Sequence, residues 1–186
     1  MSRFLVHDTP LAGLKLIERK LIGDARGFLA RMFCAEDLSM AGWHAGIAQI
    51  NHTLTQARGT VRGMHFQRSP HMEIKLVSCL RGVVWDVAVD LRAGSPTFLK
   101  WHAVELSATN HCALLIPEGF AHGFQTLTDD CELLYLHSAA YVQDAEGGVQ
   151  PHDPALAISW PLPLAAISAR DAQHALLTQE FTGLTS

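Results

Sequence analysis

The sequence lacks the long apolar run of a membrane-spanning segment. Its most apolar stretch, residues 155–167, is 13 residues long and contains Pro161 and Pro163, whereas a helix that spans a bilayer needs about 20 apolar residues. The N-terminal sequence MSRFLVHDTPLAG has no apolar core of the kind found in secretory signal peptides. We therefore expect a cytoplasmic protein without a membrane partner.

An excess of positive charge is also missing. The formal net charge is -4 at pH 7, whereas a general nucleic-acid-binding protein needs a basic face. Cys34, Cys79, Cys112 and Cys131 are widely spaced and form no CxxC pair, which is typical of reduced thiols in the cytoplasm. We expect neither a nucleic-acid partner nor a disulfide scaffold.

What the sequence does contain is a series of short strand-like segments. Its 186 residues, 48% of them hydrophobic, favour a single domain over residues 1–186. About ten apolar runs are separated by turn residues, without β/α alternation, and predict an all-β jelly-roll barrel of antiparallel strands. One short helix is predicted at 35–42. The predicted strands lie within 14–23, 24–33, 44–53, 60–67, 74–80, 82–92, 100–107, 111–117, 121–128 and 131–142.

Several of these strands present polar side chains on one face. A period of two places Gly63, His65 and Gln67 on one face and Arg62, Met64 and Phe66 on the other, and Glu73 shares a face with Lys75 and Val77. A small barrel normally has an apolar interior, so a polar interior indicates a ligand cavity. The alternative, that these faces point outward, stays open at this point. If Lys75 is buried, it needs a partner or loses its proton.

A metal site is the first chemistry to consider for a jelly roll that carries histidines. Cupin metal sites resemble one another in an HxH pair, a following glutamate and a later histidine after a PxG turn. Here His65 is followed by Gln67 where the second histidine would stand, while Glu73 and His122 match the remaining positions. An amide is a poor ligand for a transition metal. We expect a cupin-like barrel without a metal or another cofactor.

A more specific resemblance rests on several segments that occur in order: DARGFLARMF, QINHT, VRGMHFQ, DVAVDLRAGSPTF, LLIPEGFAHGFQTL, LLYLHSAAYV and DPALAISWPLPLAAISARD. Together they resemble the dTDP-4-dehydrorhamnose 3,5-epimerase family over roughly residues 10–172. The resemblance implies an isomerase of dTDP-rhamnose or related surface-glycan biosynthesis. Its substrate would be a nucleoside-diphosphate 4-keto-6-deoxyhexose, inverted at C3, at C5 or at both through an enolate.

The resemblance also implies a role for four residues. His65 would be the base that removes the proton next to the ketone, and Asp171 would orient and polarise it. Lys75 would stabilise the enolate oxygen by its charge. Tyr135 would be the acid that returns a proton from the opposite face. These four side chains form the expected catalytic set.

Further positions match substrate-binding residues of the family. The resemblance implies a homodimer whose interface includes the N-terminal segment, about 1–33, and it leaves residues of about 163–186 as a C-terminal tail. Arg26 and Phe28 would bind the nucleotide, commonly across that interface. The remaining matches are Gln49, Asn51, Arg62, His122, Tyr141 and Arg170.

Three departures from the family pattern affect the substrate rather than the catalytic set. Ala30 replaces a glutamate, Ile50 replaces an aspartate, and Leu136 follows the catalytic tyrosine where lysine is common. Alternatives are a mono-epimerase or ketoisomerase on another nucleotide sugar, a metal-dependent cupin enzyme, and a sugar-nucleotide-binding module without catalysis. The resemblance gives His71 and Glu73 no role.

Overall fold

The computed structural model of the protein describes residues 2–185. Met1 and Ser186, which end the predicted N-terminal segment and C-terminal tail, lie outside the described residues. The strands are β1 (Phe4–Asp8), β2 (Lys15–Arg19), β3 (Ile22–Asp24), β4 (Gly27–Leu29), β5 (Gln49–Thr55), β6 (Val61–Gln67), β7 (Lys75–Arg81), β8 (Val83–Asp90), β9 (Trp101–Ser107), β10 (Cys112–Ile116), β11 (Phe120–Thr126), β12 (Cys131–His137) and β13 (Glu146–Gly148). The helices are α1 (Ala35–Ser39), α2 (Ala169–Ala172) and a 3₁₀ turn at Gln143–Ala145.

Two antiparallel sheets form the body of the molecule. The first has the strand order β1-β2-β10-β7-β12-β5, and the second has the order β13-β6-β11-β8-β9. Strands β3 and β4 form a separate hairpin. The two packed sheets confirm the predicted all-β, cupin-like jelly-roll barrel.

Alternating side chains explain how these sheets build their cores. In β8, Val84 and Ala88 pack in the interior cluster between the sheets, while Val87 and Val89 pack on the outer side of the second sheet. This is the division of faces that a period of two predicts. Each sheet therefore packs apolar side chains on both of its faces.

The outer faces are covered by segments that precede β5 and follow β13. On the first sheet, Trp43 and Leu38 from the α1 region pack with Leu76 and Leu115. On the second sheet, segments after β13 contribute Val149, Leu156 and Ile158. The sequence of the final segment was compatible with either a short helix or an extended tail. In the structure it forms the four-residue α2, followed by largely irregular chain.

The predicted alternation along β6 is wrong at one point. His65 pairs with His122 and Arg62 pairs with Phe124, so a step of three residues on β6 opposes a step of two on β11. This bulge brings Arg62 and His65 to the same cavity instead of to opposite faces. Gly63 permits it, because its φ is 125° and a Cβ there would lie 2.5 Å from the Cα of Gly123.

Other differences concern the bounds of elements. The sequence did not predict β1 or β13, and α1 ends at Ser39 rather than at residue 42. Strand β5 begins at Gln49, five residues after the predicted start, because residues 44–48 form an irregular approach to the sheet. Within residues 2–185, no helix has the length and apolar character needed to cross a membrane.

Candidate active site

A cavity of about 290 Å³ opens between the two sheets. One wall comes from β6 and β11 of the second sheet, and the other comes from β5, β7 and β12 of the first. It is lined by Asn51, Thr53, Arg62, His65, Phe66, Gln67, Glu73, Lys75, His122, Phe124, Tyr135, His137, Tyr141, Glu146 and Arg170. The predicted polar faces therefore point inward, and the alternative that they face solvent is wrong.

A second groove of about 650 Å³ adjoins this cavity. Arg62, His65 and Arg170 line both spaces, so the two form a continuous site with a narrow inner part and a wider outer part. A separate cavity of about 710 Å³ lies between Lys15, Met40 and Arg92, and its walls hold none of the predicted catalytic residues.

His65 and Asp171 form a close carboxylate–imidazole pair. The Nε2 of His65 lies 2.7 Å from Oδ1 of Asp171, and the amide of Gly63 donates to the other carboxylate oxygen over 3.2 Å. Burial opposes ionisation of Asp171, whose side chain is 4% exposed, but the bonds from His65 and Gly63 outweigh it and lower its pKa to about 2. An ionised acceptor places the proton on Nε2, which leaves Nδ1 of His65 as the basic nitrogen.

The local sequence of α2 explains how Asp171 reaches β6. Ser168 caps the helix by accepting a hydrogen bond from the amide of Asp171. The short helix contacts β6 directly. The same turn places the guanidinium of Arg170 3.2 Å from Nε2 of His65 and 3.0 Å from Oε1 of Glu146. Arg170 is thus held at the junction of cavity and groove.

Lys75 lies on the opposite wall from His65 and is only 7% exposed. Its Nζ lies 3.1 Å from Oε1 of Glu73 and donates to the carbonyl oxygen of His65 over 3.3 Å. The other oxygen of Glu73 lies 2.8 Å from Nδ1 of His137. The partner that a buried Lys75 requires is therefore Glu73, a residue to which the family resemblance assigned no role.

Tyr135 stands beside Lys75 on the first sheet, since β12 and β7 are neighbours. Its ring lies at 5.8 Å from His122, edge to face, and at 6.0 Å from His137, stacked. Burial raises the pKa of the Tyr135 phenol, and the charge of Asp86 raises it further. The phenol therefore keeps its proton at neutral pH.

His122 is buried and tied to Asp86, whose Oδ1 lies 2.8 Å from its Nε2. It is part of the lining of the inner cavity, in contact with the Tyr135 ring. The structure does not place His122 in the outer groove beside Arg62. The predicted contact of His122 with a diphosphate stays a prediction.

The amide side chains hold the rim of the cavity together. Gln67 accepts from the amide of Val142 over 2.7 Å and donates to the carbonyls of His71 and Ala140. Gln49 accepts from the amide of Tyr141 over 3.0 Å. Gln67, whose amide disfavours a metal site, therefore holds the segment that carries Tyr141 in place by hydrogen bonds.

Two of the predicted binding residues lie apart from the cavity. Arg26 is at the turn of the β3–β4 hairpin, paired with Asp24, and the side chain of Phe28 is 61% exposed beside His111. Neither residue is among the lining of the cavity or of the adjoining groove in this chain. The hairpin instead projects an apolar and cationic tip toward solvent.

Sequence reasoning missed two further residues that line the cavity. Glu146 accepts from the Tyr141 hydroxyl over 3.0 Å as well as from Arg170. It lies on β13, a three-residue strand with no alternating pattern to reveal it. His137 lies two residues after Tyr135 on β12, so a period of two already places the two side chains on one face.

Groups able to hold a metal are few in the described chain. Among residues 2–185, the one set of three His, Cys, Asp or Glu ligand atoms within 4.8 Å of one another is His65, Asp171 and His174. Glu73 and His122, the partners of His65 in the metal-cupin alternative, are not part of it. The guanidinium of Arg170, 3.5 Å from Oδ1 of Asp171, puts a fixed cation beside these ligands, which disfavours a second cation there.

Comparison with known proteins places the chain in a family. Residues 8–179 match the family model described as dTDP-4-dehydrorhamnose 3,5-epimerase. The enzyme of that name from Salmonella typhimurium is 41% identical over 177 residues, which cover 94% of this chain and 96% of the relative. A dTDP-4-dehydrorhamnose 3-epimerase from Streptomyces niveus is 45% identical over 134 residues, covering 72% and 64%.

A solved structure shows the same likeness in three dimensions. The dTDP-6-deoxy-D-glucose-3,5-epimerase from Legionella pneumophila, in complex with dTDP-4-keto-L-rhamnose, superposes with a TM-score of 0.91 at 38% identity, covering 98% of this chain and 99% of that one. Sequence and fold agree over nearly the whole length. The chain belongs to the dTDP-4-dehydrorhamnose 3,5-epimerase family of isomerases.

Proposed function

We propose that this protein epimerises a dTDP-linked 4-keto-6-deoxyhexose at C3 and C5, with His65 as base and Tyr135 as acid. The observation that carries this assignment is that His65 and Tyr135 stand on opposite walls of one sugar-sized cavity. Inversion needs a base on one face of the ring and an acid on the other. A single sheet face would provide both groups from the same side.

Proton removal begins at His65. The hydrogens on C3 and C5 are acidic because both carbons adjoin the C4 ketone, and transfer of one to Nδ1 leaves an enolate. Asp171 stabilises the imidazolium that forms and keeps the ring in one tautomer. Because the pKa of Asp171 is held at about 2, the carboxylate is ionised at neutral pH and can give this support.

The enolate oxygen is assigned to Lys75. An ammonium has three N–H donors, and in Lys75 one is directed to Glu73 and one to the carbonyl of His65. The third is free for the oxygen at C4. This fixed, buried positive charge stabilises the enolate more than the neutral ketone, which lowers the barrier.

Tyr135 completes the inversion. Its phenol donates a proton to the enolate carbon from the wall opposite His65, the double bond closes back to the ketone, and the phenolate recovers a proton from solvent. His65 returns its own proton to solvent before the second centre reacts. The charge of Arg62, which lowers the pKa of Tyr135 against the larger effect of burial, assists the transient phenolate.

The remaining positions are assigned to the nucleotide and to the border of the sugar. Arg62 and Arg170 lie where cavity and groove meet, so they are placed to bind the diphosphate with the sugar in the inner part and the nucleoside in the outer part. Gln49, Asn51 and Tyr141 border the sugar. Arg26 and Phe28 are assigned to the nucleotide of the partner subunit in a homodimer, since they do not line their own cavity.

Deuterium exchange tests the reaction directly. In deuterium oxide, the protein should convert dTDP-4-keto-6-deoxyglucose to a product that carries deuterium at C3 and C5, because both hydrogens pass through solvent-exchanging groups. NMR of the product gives both position and configuration. Absence of exchange with every 4-keto nucleotide sugar offered would contradict the proposal, and deuterium with inversion at C3 alone would make the enzyme a mono-epimerase.

Subunit complementation tests the assignment of Arg26 and Phe28. The double variant Arg26→Ala/Phe28→Ala and the variant His65→Ala should each be nearly inactive at low substrate. When they are mixed and allowed to exchange subunits, hybrid dimers regain one intact site, and activity should recover to about a quarter of wild type by random pairing. Recovery is the expected result, while no recovery from verified hybrid dimers would contradict binding across the interface.

A further inference from the structure

Glu73 occupies an unusual position in this cavity. It is a buried carboxylate whose two oxygens are both engaged, one by Lys75 at 3.1 Å and the other by His137 at 2.8 Å. Burial opposes its ionisation, but His137 and Lys75 together lower the pKa of Glu73 below its ordinary value. Glu73 is therefore an anion with no free oxygen for substrate, so it does not act as a second base.

The hydrogen bonds around His137 define its tautomer. The amide of Tyr141 can only donate, so the atom of Gln49 that it contacts is the carbonyl oxygen. The amide nitrogen of Gln49 then donates to Oδ1 of Asn51 over 3.1 Å, and the Nδ2 of Asn51 faces Nε2 of His137 at 3.4 Å. Nε2 is therefore the acceptor, and the proton of neutral His137 is on Nδ1, directed at Glu73.

These bonds form one directional chain across the site. It runs from the main chain of Tyr141 through Gln49, Asn51 and His137 to Glu73, where the donor from Lys75 arrives from the other side. Every link satisfies a donor with an acceptor. This series of hydrogen bonds begins at the rim that borders the sugar. It therefore couples the conformation of the rim to the orientation of the Glu73 carboxylate.

We propose that Glu73 and His137 are positioning residues of the enolisation site. Glu73 keeps Lys75 charged and directs two of its donors, so that the third points at the ketone oxygen, and His137 fixes Glu73 in the orientation that does so. The inference rests on the proposed role of Lys75. Without the carboxylate, a lysine as buried as Lys75 loses its proton more readily, because burial disfavours the charged form.

The test compares pH profiles of proton exchange in Glu73→Gln and in wild type. The variant should lose about ten-fold or more in kcat at neutral pH with a smaller change in KM, because a stabiliser of the transition state is impaired. Its activity should also fall at a lower pH on the alkaline side, because Lys75 deprotonates earlier. The other ionisable groups that line the cavity with Lys75 and Glu73 are unchanged in it: Arg62, His65, His122, Tyr135, His137, Tyr141, Glu146 and Arg170.

Two conservative variants separate charge from shape. Glu73→Asp keeps the anion, so its alkaline limb should stay near that of wild type even if kcat falls. His137→Gln keeps the Lys75–Glu73 pair but not the fixed Nδ1 donor, so it should reduce kcat less than Glu73→Gln does and leave the alkaline limb in place. If Glu73→Gln does not fold, Glu73→Asp and His137→Gln test the positioning role in its place. A wild-type kcat in both of them would overturn the proposal.

A matched control lies on the outer side of the same sheet. Glu132 and His52 form a carboxylate–imidazole pair at 2.9 Å on β12 and β5, in which His52 is exposed and Glu132 is partly exposed. Glu132→Gln should leave kcat and the pH profile unchanged. Wild-type kcat and profile in a folded Glu73→Gln would overturn the positioning role alone, whereas a wild-type protein without any solvent exchange would overturn the proposed function itself.

Discussion

Replacing His65 by alanine should lower kcat by about 10²- to 10⁴-fold, the range that a positioned general base contributes. The reason is that the charged groups nearest to His65 are poor replacements for it: Arg62 and Arg170 are guanidinium cations without an acceptor atom, and Asp171 has a pKa of about 2. Nucleotide binding should persist, because the assigned phosphate ligands remain. Steady-state rates with calorimetric titration of dTDP measure the two effects separately.

The control for that variant is His52→Ala. His52 is also on a strand and also paired with a carboxylate, but it is exposed and lies outside the cavity. It should keep the wild-type rate. Near-normal turnover in a folded His65→Ala would show that the base is another residue, and loss of dTDP binding along with turnover would point to a collapsed cavity rather than to a missing base.

Replacing Tyr135 by phenylalanine should remove inversion while leaving proton exchange measurable. The ring and its contacts with His122 and His137 are kept, and only the hydroxyl is lost. His65 can still remove a proton and return a solvent-derived one to the same face, which gives deuterium without a change of configuration. We expect inversion to fall by about 10²-fold or more, and NMR in deuterium oxide distinguishes the two outcomes.

The second tyrosine of the chain provides the comparison. Tyr141 is half exposed, and its hydroxyl donates to Glu146 at the rim. Tyr141→Phe should weaken substrate binding and raise KM while keeping inversion and exchange coupled. Inversion at the wild-type rate in Tyr135→Phe would exclude Tyr135 as the acid, and a loss of both exchange and inversion would assign it a role before the enolate forms.

Much of the fold follows from local sequence pattern. The alternation of valines in β8 and the turn residues between strands were enough to predict an antiparallel barrel, because side-chain burial in a sheet repeats with the pleat. Strand β13 was missed for a physical reason. β13 contains two glycines in three residues and is held in place by the ladder it forms with β6, a tertiary contact.

The site residues also divide into those that local sequence pattern places together and those that only tertiary contacts bring together. Residues on one strand at even spacing, such as Tyr135 and His137, can be placed together from sequence. Asp171 is more than a hundred residues from His65, and only the resemblance to a known family could join the two before the structure did. Glu73 shows the opposite case, since its spacing from Lys75 was visible but its partner on β12 was not.

The bulge at Gly63 has a consequence for any attempt to redesign this enzyme. Arg62 and His65 are three residues apart, an odd interval, and no regular strand can present both to the same side. A redesigned sequence that kept every functional residue but made β6 a regular strand would place either His65 or Arg62 on the outer face of the second sheet. In this fold the orientation of the base depends on the number of residues in β6 as well as on their identity. Deleting one residue there would therefore be as damaging as replacing the histidine.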